Sequence, residues 1–295
     1  MYISKKDLPA CKKEHAFLLM NQYYEVDKLL GMSFCDKIGD LDNFKALTNK
    51  ANQYIPTIGF AWKFAEFIFL ERNFQKDRNN NGNKLRNVFA YPHPAWFLLN
   101  AQGTRFTNTK HKESENFAKE IDLEPLEYHL TRRTKGFSAN IPYLKKICPN
   151  IYDINLAITK NQAQNAPNFF NDESIEAHIY IRRFDTKEIP DDEEKSAEWL
   201  QNLFREKDHF QQNFQKHGSF FHDLEPIEPI TLKPRLVCLL NTVGWIFVTI
   251  SFVIIYFGYL LVKGRFLTFS VGVAVLGHFY YLMNKTISYS QIEKS

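Results

Sequence analysis

From Leu236 to Val262 the chain runs for 27 residues without a charged side chain, and after Lys263-Gly264-Arg265 a second uncharged run covers Phe266 to Met283. A bilayer core takes about 20 apolar helical residues, so the first run spans with some tilt and the second is just long enough. With three residues between them they read as a hairpin of two membrane helices closed by a very tight turn. A helical pair buried inside a globule is the other reading, and segments this long and this free of charge argue against it. Lys233, Arg235 and Lys285 flank one side and Lys263 and Arg265 occupy the turn. This small bias leans toward a cytosolic placement of residues 1–235. The opening residues, Met1 to Asp7, are polar and charged and carry no signal-peptide pattern.

Residues 1–235 alternate between strand-like and helix-like stretches, which predicts an α/β fold. Strands are expected at Phe17 to Met20, Trp96 to Asn100, Ile151 to Ile158 and Ala177 to Arg182. Pro190-Asp191-Asp192-Glu193-Glu194 opens a helix with acids in its first turn, where the helix dipole favours them. Apolar residues then recur from Ala197 through Leu200, Leu203, Phe204 and Phe210 to Phe214, and Gly218 closes the helix. Net charge is +4, from 37 basic and 33 acidic residues. That balance excludes a nucleic-acid binder, whereas a mild basic bias suits an anionic membrane surface or a phosphorylated ligand. The four cysteines are scattered without a CxxC pair, so they read as free thiols and not as a zinc site. Asp77-x-Asn79-x-Asn81-Gly82 opens like a calcium loop, but Val88 stands where the bidentate Glu is needed, and no calcium is expected. His217 and His222 beside Asp223 read as surface histidines, and no metal or cofactor is expected.

Four blocks carry the chemistry. The first is Asn21-Gln22-Tyr23-Tyr24-Glu25-Val26-Asp27 after an apolar run, and the second, Phe69 to Arg78, carries Arg72. The third is Gln102-Gly103-Thr104-Arg105-Phe106-Thr107, and the fourth is Thr131-Arg132-Arg133-Thr134-Lys135-Gly136-Phe137. Each of the last three sets basic residues near a strand end or a glycine turn. Arginine grips phosphate with a two-pronged fork, and glycine lets the backbone come close. Singly, each is an ordinary solvated turn; at four strand ends they could wall one site for a phosphorylated ligand.

In this order and spacing the blocks resemble the glycerophospholipid acyltransferases, in particular the gamma/delta branch of the 1-acylglycerol-3-phosphate acyltransferases. That family reads N-H-x-x-x-x-D in the first block, E-G-T-R-F-T-x-T-K-H in the third and L-P-R-T-K-G-F in the fourth. Here the third continues QGTRFTNTKH and the fourth reads TRRTKGF. The likeness also runs through Arg182-Arg183-Phe184, Ile189-Pro190 and Glu206-Lys207-Asp208. It implies a glycerolipid acyltransferase-type α/β domain over 1–232, two membrane helices within 233–285 and a polar tail over 286–295. The family's His is a general base that takes a proton from a lysolipid hydroxyl, which then attacks the thioester of acyl-CoA. Asp27 matches the residue that orients this His. The two positions, five apart, lie about 140° apart on a regular helix, so they meet only where a turn enters a helix. The resemblance also implies that Arg72, Gln102, Gly103, Thr104, Arg105, Arg133, Thr134, Lys135 and Gly136 form the substrate-binding set. The aromatic run Ile58 to Leu70 would lie near the acyl chain or the membrane face.

The pattern breaks where the chemistry is centred. The base His is Gln22, the Glu of the third block is Gln102, and the Pro of the fourth is Arg132. An amide has no usable proton affinity near neutral pH, and general-base help is worth ~10²–10⁴-fold in rate. At about 3.3 Å per residue, His15 stands roughly 23 Å from position 22, too far to substitute. The sequence alone does not place His93, His111 and His129. The family carries membrane segments before its first block, whereas about twenty polar residues stand there here, which leaves anchoring to the C-terminal hairpin. Three readings follow: a weakened acyltransferase, a non-catalytic binder of lysophospholipid or acyl-CoA that could partner an active paralogue, and a membrane-anchored structural protein. The kept Gly103-Thr104-Arg105 argues against the last. The implied setting is the endoplasmic reticulum membrane.

Overall fold

A computed structural model describes residues 1–8, 13–24, 27–55, 58–71, 84–99, 106–131, 134–138, 141–159, 175–222, 224–233 and 235–291. It divides into two units, one of Met1–Lys50 with Trp62–Leu232, the other of Ala51–Ala61 with Lys233–Ser295.

The first unit is built on a seven-stranded sheet. Its strands are β1 (Tyr2–Ile3), β2 (Ala16–Met20), β3 (Phe44–Asn49), β4 (Ile68–Leu70), β5 (Trp96–Leu99), β6 (Asn150–Ile158) and β7 (Ala177–Asp185), in the order β1-β7-β6-β2-β5-β3-β4. All neighbours are parallel except β6 and β7. β2 is Ala-Phe-Leu-Leu-Met with every residue buried. Such an unbroken apolar run is what a parallel strand covered on both faces requires. The expected β2, β5 and β6 are present, and β7 extends three residues past the expected Arg182. β1, β3 and β4 escaped the sequence reading because they are short, or because they alternate polar and apolar residues, as Phe44–Asn49 does.

Helices cover both faces. On one side α1 (Asp27–Ile38) lays Leu30, Phe34 and Cys35 against Leu18, Met20, Trp96 and Ile154. Gly31 sits over Met20, where an added Cβ would be in ordinary contact with its methyl at 3.4 Å. On the other side α5 (Ile141–Ile147) and α6 (Glu193–His217) pack on Phe17, Leu19, Phe97 and Ile151. α6 starts and stops as its sequence dictates: the Asp192 side chain accepts from Lys195 N at 2.9 Å, and Gly218 adopts φ 73° at the C-terminus. The aromatic run 58–70 is divided in two. Residues 58–64 form the short helix α2 (Ile58–Phe64), with Phe60 and Phe64 exposed, whereas Phe67 and Ile68 are buried in the core.

In the second unit, α7 (Leu236–Val262) and α8 (Phe266–Gln291) are joined through Lys263 and Gly264, the glycine at φ 65°. Leu236–Val262 and Phe266–Lys285 are each long and apolar enough to cross a membrane. The pair closes at one point: a Cβ on Gly272 would stand 2.8 Å from the Phe257 ring, which meets Phe269 edge-on at 5.2 Å. Outside that seam most of their apolar side chains are exposed, Leu260 being a buried exception, which is the opposite of a helix pair buried in a globule.

Candidate functional site

β2, β5 and β6 run side by side and end at one edge, and ligands of open α/β sheets bind outside the carboxyl ends of their strands. β2 pairs with β6 as far as Met20 opposite Ile154. Beyond it the Asn21 side chain takes over the ladder: its Nδ2 donates to Leu156 O at 2.9 Å, and its Oδ1 accepts from Leu156 N at 2.8 Å. Gln22 therefore leaves the sheet from a fixed point. Two residues on, the Tyr24 hydroxyl accepts from Ile158 N and from Gln211 Nε2, both at 3.1 Å. Burial pushes this phenol up to about 12, although both hydrogen bonds pull the other way, so Tyr24 stays protonated and structural. Asp27 is buried at the first position of α1, and its Oδ2 accepts from Tyr24 N at 2.9 Å. The described residues of the first block thus lead from the end of β2 to Asp27 at the start of α1.

The third block meets the first through the backbone, because Phe106 N donates to Gln22 O at 3.0 Å. Aromatic rings fill the junction. Tyr23 lies 5.0 Å from Phe106 and 6.2 Å from Tyr128, just ahead of the fourth block. Thr107 caps α3 (Asn108–Glu120). From α3, Ser114 Oγ accepts from Thr131 N at 2.6 Å, and Thr134 O accepts from Phe137 N and Ser138 N to start α4 (Lys135–Ser138). Lys135 and Gly136 stand in that first turn. The described ends of blocks one and three are therefore in contact, and the fourth block is tied through Thr131 to the helix that follows the third. Arg72, Gln102, Gly103, Thr104, Arg105, Arg132 and Arg133 lie outside the described residues, as do the calcium-like loop opening at 77–82 and Asp223.

Beneath the strand ends lies a charged cluster. Asp153 in β6 is fully buried, and Arg182 in β7 reaches its Oδ2 from Nε at 3.0 Å and from Nη2 at 2.7 Å. Lys207 of α6, also fully buried, pairs with Asp153 and donates to Leu19 O at 3.0 Å and Ile154 O at 2.9 Å. Glu206 pairs with Arg182. Burial alone would raise Asp153, but Lys207 and then Arg182 outweigh it and hold the carboxyl below its ordinary value. The sequence carried one signal for this cluster: Lys207 occupies a core position of the stripe formed by Leu200, Leu203, Phe204, Phe210 and Phe214.

A family model described as the acyltransferase C-terminus matches residues 168–245. Over 239 residues, 81% of this chain and 62% of the relative, the sequence is 36% identical to 1-acyl-sn-glycerol-3-phosphate acyltransferase gamma of Homo sapiens. Over 245 residues, 83% and 64%, it is 35% identical to the delta protein of Mus musculus. Over about four fifths of its length the chain is homologous to 1-acyl-sn-glycerol-3-phosphate acyltransferases gamma and delta. It spans less than two thirds of the length of these relatives. No solved structure matches it.

For a chain homologous to acyltransferases the histidines are of first interest. His15, at the opposite end of β2 from Gln22, accepts from Ala95 N through Nδ1 at 2.9 Å. Burial lowers its pKa. His93 is exposed. His129 is buried, with Nδ1 on Asp208 Oδ1 at 2.9 Å. His111 is nearer the first block: its ring lies 4.9 Å from Phe106, its Nε2 is 2.7 Å from Leu126 O, and its Nδ1 faces Glu115 at 3.6 Å. Each of His15, His111 and His129 is thus engaged by a structural partner. His217 and His222 stack face to face at 3.6 Å, so their in-plane lone pairs run parallel and do not converge on one ion. Among the described residues no three His, Cys, Asp or Glu side chains gather as a metal site.

Proposed function

We propose that this chain is a membrane-anchored lysophospholipid- and acyl-CoA-binding member of its family whose acyl transfer is weak or absent. The observation that carries the reading is the placement of Gln22. It stands at the carboxyl edge of the sheet, tied to the third block through Phe106 N and followed by the buried Asp27 at the head of α1. The relatives it resembles are named for 1-acyl-sn-glycerol-3-phosphate, a lysolipid phosphate. In this reading Gly103, Thr104, Arg105, Arg133, Thr134, Lys135, Gly136 and Arg72 engage that phosphate, and Gln22 and Gln102 hydrogen-bond the ligand where ionisable groups would act on it. Without a base, orientation alone still speeds attack on a thioester, at a much reduced rate.

The α7–α8 hairpin holds the chain in the endoplasmic reticulum membrane, with the sheet-bearing unit on the cytosolic side. Acyl-CoA is the co-substrate where turnover occurs, and an active paralogue is the partner where it does not.

The deciding experiment measures acyl transfer from oleoyl-CoA to lysophosphatidate by the wild-type protein and by Gln22→His/Gln102→Glu. The expected result is little or no wild-type turnover and a gain of ~10²–10⁴-fold in the double variant. The second reading, an enzyme with a substitute base, is favoured by the ring contact between His111 and Phe106. It requires wild-type turnover that is abolished by both Arg105→Ala and His111→Gln.

A further inference from the structure

Glu206-Lys207-Asp208 stands out in the sequence, yet only its first two residues belong to the buried charge cluster. Asp208 points elsewhere. Its Oδ2 accepts from Glu127 N at 2.8 Å, and its Oδ1 accepts from Tyr128 N at 2.8 Å and from His129 Nδ1 at 2.9 Å. An ionised carboxylate is acceptor-only, so His129 donates here, and three donors from one turn converge on one side chain. That turn leads directly into Thr131 and the fourth block. The preceding residue, Lys207, is bonded to Leu19 O, three positions before Gln22, and to Ile154 O of β6, which faces Met20. One turn of α6 is therefore fastened to the strand that delivers Gln22 and, by the next residue, to the loop that delivers the headgroup wall. The loop is held from its other side by α3, through His111 on Leu126 O and Ser114 on Thr131 N.

We infer that Asp208 is a positioning residue, which sets the fourth block against position 22 by holding the 127–129 turn on the same helical turn that Lys207 locks to the sheet. Its ligand rests on the reading above: the group positioned is a lysolipid phosphate. An acid that merely capped a surface turn would leave the fourth block and its ligand indifferent to its loss.

The test uses the full chain in lipid nanodiscs and has two independent arms. In the first, amide hydrogen exchange is followed at Phe137 and Ser138, whose N–H groups bond to Thr134 O. In the second, binding to vesicles bearing lysophosphatidate is compared with binding to vesicles bearing lysophosphatidylcholine. Asp208→Ala speeds exchange at 137–138 while β2 and β6 stay protected, and it weakens lysophosphatidate binding about tenfold, the scale of losing hydrogen bonds to a charged acceptor. Asp208→Asn keeps one oxygen, enough for Tyr128 N and His129 Nδ1 but not for Glu127 N, and recovers affinity to a value between those of Asp208→Ala and wild type. Glu198→Ala, an exposed acid on the same helix, changes neither. Unchanged exchange at 137–138 in Asp208→Ala overturns the inference, as does loss of protection throughout the sheet in both Asp208 variants. A wild-type protein that ignores both vesicles overturns the functional reading instead, and the exchange arm still decides the role of Asp208.

Discussion

A lysine ammonium with no exposed surface survives only when all three of its hydrogens are matched, and Lys207 has Asp153, Leu19 O and Ile154 O. Removing one partner of a buried pair leaves the other charge stranded, so Lys207→Met is expected to lower unfolding stability by about 3–5 kcal/mol. Lys207→Met/Asp153→Leu removes that pair but leaves Arg182 with Glu206 alone, so it should recover part of that loss in chemical denaturation. A double variant as unstable as the single would show that the pair itself stabilises. The same cluster sets a pH dependence. The Asp153 carboxyl lies below its ordinary 3.8 in the folded chain, so its contribution is complete above that value and is lost as pH falls through the folded pKa. Thermal midpoints should therefore fall on acidification below about pH 4, and fall less in the double variant. The apolar spacing of α6 makes a helix legible, but it does not tell a buried lysine from a solvated one. That distinction depends on an aspartate 54 residues earlier in the numbering, which only the pairing of β6 with β2 and β7 brings beneath the helix.

At the scale of elements, α6 does more than pack. Its apolar stripe covers one face of the sheet, while Lys207, Asp208 and Gln211 reach β2, the 127–129 turn and Tyr24 in succession. Gly218, at φ 73°, ends the helix with nothing within 4 Å of an added Cβ. Gly218→Ala therefore tests backbone strain alone, with an expected cost of about 1 kcal/mol in denaturant unfolding. In the hairpin the restriction is spatial, because a Cβ on Gly272 would meet the Phe257 ring at 2.8 Å. Gly272→Val should loosen the α7–α8 contact, read as faster proteolysis at the 263–265 turn, and Phe257→Ala in the same chain should relieve it. Of the four strands read from the sequence, β2 and β5 are unbroken apolar runs, and the strands that were missed are short or alternating. A two-residue strand such as Tyr2–Ile3 has no periodicity to read; its partner β7 makes it a strand.

For the whole molecule, the apolar surface of α7 and α8 must be covered, and the proposed cover is lipid. The full chain should stay with membranes through carbonate extraction. Ile254→Arg with Val275→Arg should release it, since a charge at a helix centre costs about 2.5–3.5 kcal/mol on insertion scales. Retention of that variant would put the anchor elsewhere. Length and the absence of charge over Leu236–Val262 and Phe266–Met283 were enough to determine the helical pair and its three-residue turn, because membrane-length apolarity is a local property. The four motif blocks and the glutamine at position 22 were legible for the same reason, as were the continuous β2 and the caps of α6. What the tertiary structure alone decided is non-local. It joined the first and third blocks through Phe106 N and Gln22 O, engaged His15, His111 and His129 with structural partners, and buried Lys207 on Asp153. Hydrogen bonds and ion pairs between residues tens of positions apart leave no period in the sequence; they exist only once the order of the strands has been chosen.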